Sequence, residues 1–208
     1  MSATINCAME MTLLKDLHLP PRSECTYTSC YCEENVWKLC ELVKLSCPDL
    51  LRRCFVVFVS NQRAAVPIWK QKSGTEENGL AVWDYHVLFI YCPADDRPSR
   101  VYDLDTVLPF PIDISTYIAE AFQPTMPVLP DYRQMFRVVA ADEFLQTFAS
   151  DRTRMRRPDG TWIREPPAYP CIRTSVSTNN IEDFICMDKG IGYGEVLSLE
   201  EFEEWFSR

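Results

Sequence analysis

Glycine is scarce in this sequence: six in 208 residues, none of them in a Gly-rich phosphate loop. Chemistry built on a backbone cradle for nucleotide phosphates is therefore excluded, and neither a Gly-x-Ser-x-Gly elbow nor a His-Glu-x-x-His pair occurs. Histidine is rarer still, with only His18 and His86 available as imidazole bases. No apolar run comes near the length of a membrane span, since the longest are Phe55–Val59 and Val87–Cys92. Basic charge is also in deficit: 21 Lys and Arg against 30 Asp and Glu leave a net charge of −9. That balance argues against nucleic acid as a partner, and against docking on anionic lipid. The N-terminus has no basic start followed by an apolar run, because Glu10, Lys15 and Asp16 interrupt it, so no secretory signal is expected.

What is abundant is cysteine, with ten in the chain and six between Cys25 and Cys54. Without a secretory signal these read as free thiols in a reducing compartment, the cytoplasm or the nucleus, most of them buried as small hydrophobes. Pro outnumbers Gly by 15 to 6, which predicts many irregular connections and few flexible linkers. At 47% hydrophobic and 25% charged residues, a chain of this length buries a core without a disulfide framework.

Residues 1–21 end in Pro20-Pro21 and read as a loosely ordered arm, leaving 22–208 as a single domain. Helical spacing of Val36, Cys40 and Val43, and of Trp37, Leu39 and Leu42, predicts a helix from Glu33 to about Ser46, closed by Cys47-Pro48. Phe55–Ser60 reads as a buried strand and Val66–Gln71 as a shorter one whose Pro67 marks an edge or a bulge. Leu80–Tyr91 is the strongest strand signal, and with Arg100–Asp105 it forms a predicted hairpin. Asp113 is placed to cap a helix through about Phe122. Phe136–Ala140 follows as a strand, Asp142–Ala149 as a helix and Ser150–Pro170 as a long polar loop. Ser198-Leu-Glu-Glu201 is a capping-box start for a last helix. Helix, mostly antiparallel sheet, then peripheral helices is an α+β order.

The chemistry concentrates at three places. Cys32 stands at the predicted start of the first helix, where free backbone N–H groups favour a thiolate and offer an oxyanion hole. Glu33 and Glu34 oppose that charge, so an imidazolium is needed to complete the pair. His86 lies within a strand; a lone strand histidine is ordinarily a core residue, and His18 in the arm is a surface one. Folding the hairpin about residue 95 brings Asp103 or Asp105 opposite His86, within reach of an imidazole–carboxylate bond. In an extended approach to the helix, Cys30 shares a face with Cys32 but lacks the adjacent helix amides. As metal ligands the cysteines fit poorly: Cys30-x-Cys32 is too closely spaced for a zinc knuckle, and Pro48 breaks the alignment of Cys40, Cys47 and Cys54. The arginines between Arg152 and Arg157 read as a solvated loop, or else as a brace for an acidic surface or a cover over the site.

Ser-Cys-Tyr-Cys-Glu-Glu-Asn-Val-Trp-Lys-Leu-Cys (29–40), Val-Trp-Asp-Tyr-His-Val (82–87) and Val-Tyr-Asp-Leu-Asp-Thr-Val-Leu-Pro-Phe-Pro (101–111) resemble the protein N-terminal glutamine amidohydrolase family. Phe136-Arg-Val-Val, Phe148-Ala-Ser-Asp-Arg-Thr-Arg-Met and Pro166-Pro-Ala-Tyr-Pro-Cys extend the resemblance over about 23–206. It implies a papain/transglutaminase-like fold and deamidation of N-terminal Gln to Glu in the N-degron pathway. It further implies Cys32 as nucleophile, His86 as base and Asp103 as third member. Arg154 departs from it, standing where His is expected. On this reading the chain is a monomeric hydrolase without cofactor or metal, and its partners are proteins or peptides with a free N-terminal Gln. Glu33, Asp84 and Asp105, next to the three in sequence, are candidates for binding the substrate α-ammonium. A cysteine protease, an acyltransferase and a catalytically inactive interaction module of the same fold are the rivals.

Overall fold

The first helix, α1, runs over Cys32–Ser46 and ends where the Cys47 amide donates to Val43 O; Pro48 then starts the short α2, Pro48–Leu51. Proline at the first position of a helix forfeits no intrahelical bond, so the residue that stops α1 also opens α2. The structure, a computed structural model, describes residues 16–75 and 77–207. Its strands are β1 (Cys54–Ser60), β2 (Val66–Ile68), β3 (Ala81–Trp83), β4 (His86–Tyr91), β5 (Arg100–Tyr102), β6 (Ile112–Asp113), β7 (Met135–Ala140) and β8 (Glu195–Leu197). The remaining helices are α3 (Ile114–Tyr117, running into a π-helical turn at Ile118–Phe122), α4 (Ala141–Thr147), α5 (Glu182–Ile185) and α6 (Leu199–Phe206).

Six strands form one fully antiparallel sheet in the order β6-β5-β4-β1-β7-β8. Its central strands are apolar on both faces. Val56, Phe58, Val87 and Phe89 pack under α1 and α4, while Val57, Val59, Leu88 and Ile90 pack against α3, the π-helical turn and α6. A sheet covered on both faces needs such unbroken hydrophobic runs, as β1 and β4 supply. The mixed α+β architecture expected from the element order is the one observed. Ser198 caps α6 with both bonds of the predicted capping box, Glu201 N to Ser198 Oγ at 3.2 Å and Ser198 N to Glu201 Oε2 at 2.7 Å. Among the described residues no helix is long and apolar enough to cross a membrane.

Several sequence expectations are corrected. Leu80–Tyr91 is two strands rather than one. Asp84 accepts the Tyr85 amide on its own carboxylate at 2.9 Å and gives its carbonyl to Ser60 Oγ at 2.6 Å. Such local side-chain bonds compete with ladder pairing. β3 therefore pairs with β2 in a separate two-stranded sheet, and His86 opens β4 instead of lying mid-strand. β2 stops before Gln71 because Lys70 adopts a left-handed φ of 59°. Asp113 precedes α3 as expected but makes no side-chain cap bond. Of the nine described cysteines, all free, only Cys32, Cys40 and Cys54 are buried; the other six are half-buried. The arm falls largely on residues 1–15, outside the described residues; beyond them Leu17 is buried, His18 is exposed and Asp16 pairs with Arg97.

Candidate active site

The loop before α1 is fastened by Asn35, whose amide accepts from Thr28 N (2.8 Å) and donates to Thr28 O (2.9 Å). Cys30 takes a left-handed φ of 67°, so the approach is a turn and not the extended stretch expected. That turn delivers Cys32 as the first residue of α1, 9% exposed, among the amides that have no intrahelical partner. Burial, with the charges of Glu33 and Asp105, pushes its thiol well above the ordinary value; the Val87 amide, facing the sulfur, opposes this, and Asp84 adds to it. The helix end alone therefore does not hold a preformed thiolate. The thiol instead donates to Glu33 Oε2 at 3.7 Å.

Val87 follows His86, so the sulfur sits against the opening residues of β4. His86 is fully buried and donates from Nε2 to Asp103 Oδ1 at 2.9 Å. Its Nδ1 is buried with no hydrogen-bond partner among the described residues. Burial acts to lower the imidazole pKa, but the charge and hydrogen bond of Asp103, with the charge of Asp105, outweigh it and raise it. Asp103 itself is buried, which acts to raise it. His86, the Tyr117 hydroxyl and the Asp105 amide overcome that and hold it at about 2. Its oxygens accept four donors: His86 Nε2 and Asp105 N (2.8 Å) on Oδ1, Tyr117 OH (2.7 Å) and Gln71 Nε2 (3.2 Å) on Oδ2. A carboxylate so saturated is fixed in place and in charge. Trp83 stacks on the imidazole with centroids 5.4 Å apart and planes at 18°.

A cleft of about 290 Å³ opens over Cys32 and is lined also by Cys30, Tyr31, Glu33, Trp83, Asp84, Tyr85 and Asp105. Ser150, Arg152, Thr153, Arg154, Met155 and Ile163 line it as well. All three candidate ammonium binders thus border the same cavity. Glu33 is 3% exposed, and burial raises its carboxyl to about 7 although Tyr85 OH donates to it at 3.0 Å. Asp105 accepts Tyr27 OH at 2.6 Å. Asp84 differs: it is exposed and paired with Arg154 at 3.2 Å. Arg154 also reaches Glu182 at 2.9 Å and lies over the Tyr85 ring, so this position forms the rim.

The arginine run is not uniformly solvated. Arg152 is buried and forks onto Glu34, which has no exposed surface. That pair, and the Tyr117 and Gln71 bonds to Asp103, went unread in the sequence; the helical spacing of apolar residues around Tyr117 carries no sign of its hydroxyl's target. Among the described residues His86, Asp103 and Asp105 form the group that could hold a metal ion, with candidate ligand atoms within 4.8 Å of one another. In this structure those atoms serve the hydrogen-bond network just described.

A helix-start thiol, a buried imidazole with one free nitrogen and a carboxylate on the other can carry out nucleophilic attack with general acid–base assistance. Known proteins similar to this chain are amidohydrolases by name. A family model described as N-terminal glutamine amidase matches residues 27–206. A protein N-terminal glutamine amidohydrolase of Drosophila melanogaster is 49% identical over 191 residues, which cover 92% of this chain and 93% of the relative. Its namesake in Drosophila grimshawi is 48% identical with the same coverage, and that of Drosophila willistoni 49% identical over 187 residues, 90% of this chain and 91% of the relative. With nearly the whole domain aligned at this identity, the chain belongs to the N-terminal glutamine amidase family.

Proposed function

We propose that this chain deamidates the side chain of an N-terminal glutamine to glutamate, releasing ammonia, with Cys32, His86 and Asp103 as its catalytic residues. The observation that carries the reading is the buried His86, bonded through Nε2 to Asp103 with its Nδ1 unpartnered among the described residues, next in the chain to Val87, whose amide faces the helix-start thiol. The relatives' names supply the substrate. Residues 22–208 act as one domain of papain/transglutaminase-like arrangement, a nucleophile at a helix start packed on an antiparallel sheet that carries the base. The nine cysteines among the described residues are free, which suits a reducing compartment, cytoplasm or nucleus.

Because the Cys32 thiol is protonated at rest, His86 Nδ1 takes its proton as the sulfur attacks the carboxamide carbon. The first-turn amide of Cys32 donates to the developing oxyanion. His86 then protonates the leaving nitrogen, the C–N bond breaks, and ammonia departs from a thioester. Water attacks that thioester while giving a proton to His86; the C–S bond breaks, and the sulfur recovers its proton. Asp103 keeps Nε2 protonated throughout, so Nδ1 is always the working nitrogen.

Glu33 and Asp105 are the binders of the substrate α-ammonium. Each is buried, each has a phenol for a partner, and among the described residues neither makes an ion pair, whereas Asp84 is already matched by Arg154. An acetylated amino group would leave each with its phenol but without a cation, losing a charge-assisted hydrogen bond worth roughly 1–3 kcal/mol. Intact-mass analysis of a Gln-initiated peptide incubated with the protein tests the reading: deamidation adds about 1 Da. N-acetyl-Gln, internal Gln and N-terminal Asn peptides are expected to be poor substrates. Peptide cleavage or an amine adduct would support a protease or an acyltransferase, and an unchanged peptide an inactive binding module.

A further inference from the structure

The first turn of α1 and the segment beginning at Ser150 both line the cleft. The ion pair that joins them is Arg152–Glu34: Nε donates to Oε1 and Nη2 to Oε2, each at 2.8 Å. Nη1 of the same guanidinium donates to the carbonyls of Pro167 at 3.1 Å and Tyr169 at 3.0 Å, and the group lies 5.2 Å from the Tyr169 ring centroid. Three stretches of chain therefore meet on one side chain. Arg152 also adopts a left-handed φ of 63°, a conformation an L residue keeps only when its surroundings hold it. Replacing a buried ion pair by apolar packing is often neutral or stabilising, so stability alone does not account for charges placed here.

We propose that Arg152 is a positioning residue which, through Glu34, fixes the width of the cleft at Cys32 and so sets the preference for glutamine over the shorter asparagine. The inference rests on the deamidation proposed above. Glu34 lies two residues beyond Cys32 in the same helical turn. A shift of that turn against the segment from Ser150 moves the sulfur and the Cys32 amide together, away from the carbon they must meet. Misplacement by about 1 Å can cost a hundredfold in rate. The loss falls on glutamine, the substrate of the reaction proposed above, while asparagine, one methylene shorter, is misplaced already; the ratio between them therefore drops. Lysine cannot substitute, because a point charge cannot fork onto both Glu34 oxygens and still reach two carbonyls.

The test is kcat/KM for matched Gln- and Asn-initiated peptides, read by ammonia release, in the wild type, Arg152→Lys and Glu34→Gln, with Tm measured alongside. A lowered folded fraction reduces both rates alike and leaves their ratio unchanged. A fall of tenfold or more in the Gln:Asn ratio, chiefly through kcat on Gln, supports a positioning role. An unchanged ratio overturns it, whatever happens to Tm. Should Arg152→Lys fail to fold, Glu34→Gln, which keeps shape and one acceptor, carries the same comparison. A wild type that releases no ammonia from the Gln peptide would instead refute the underlying activity, which separates the two failures.

Discussion

His86 and Asp103 are bonded diagonally across the end of the β4–β5 hairpin, not as a directly opposed pair. The register Phe89↔Tyr102, Ile90↔Val101, Tyr91↔Arg100 would, if continued, set His86 against Asp105. β5 ends at Tyr102, however, and the chain turns so that the Asp105 amide donates to Asp103 Oδ1 at 2.8 Å beside the His86 bond. Asp105 thus supports the carboxylate through its backbone and leaves its own side chain in the cleft.

Asp103→Asn is expected to lower kcat by roughly three orders of magnitude or more, since an amide N–H facing Nε2 drives the ring proton onto Nδ1 and removes the base. Asp105→Asn should act mainly on KM. It should also move the acid limb of the kcat/KM profile to lower pH, because Asp105 helps to raise His86. Steady-state kinetics across pH check both. Greater damage to kcat from Asp105→Asn than from Asp103→Asn would reverse their roles.

Cys32→Ala should abolish turnover, whereas Cys30→Ala should retain at least about a tenth of it. Both thiols line the cleft, yet only Cys32 adjoins the free helix amides proposed to receive the oxyanion. Activity of each variant on a Gln-initiated peptide decides, and the opposite pattern would move the nucleophile to Cys30.

Glu33 ought to leave a mark on the pH dependence of stability. Its carboxyl rises from 4.5 to about 7 on burial, so the native state holds that proton more tightly than the unfolded chain. Stability from this group is greatest below pH 4.5 and falls as pH rises through 7, by on the order of 3 kcal/mol. Glu33→Gln carries no such titration. Its Tm relative to wild type should be higher at pH 8 than at pH 5, and a difference independent of pH would contradict the buried, cation-free setting described here.

Much of this architecture was legible because burial leaves a period in the sequence. The apolar spacing of Val36, Cys40 and Val43 marked α1, the unbroken runs marked β1 and β4, and the Ser198–Glu201 spacing marked a cap that both bonds confirm. What escaped depends on single contacts between distant residues. The break after Trp83 hangs on Ser60 reaching the Asp84 carbonyl, which no local propensity encodes. Choosing between Asp103 and Asp105 required knowing where β5 stops. The arginine run could be read as solvated, as a brace or as a cover, and which arginine braces which acid was hidden because Glu34, the partner of Arg152, is 118 positions away. The candidate ammonium binders were legible only as neighbours in sequence; burial and pairing separate Glu33 and Asp105 from Asp84.

The measurement closest to the central claim is acid-quench trapping of the acyl-enzyme during turnover of a Gln-initiated peptide. The reaction proposed here predicts a transient protein adduct of the peptide's mass less about 17 Da for the departed ammonia, with the thioester mapped by fragmentation to Cys32 and accumulating when deacylation is slowed. An adduct on Cys30, or peptide deamidated while no thioester forms under conditions that trap one in a known thiol hydrolase, would contradict it.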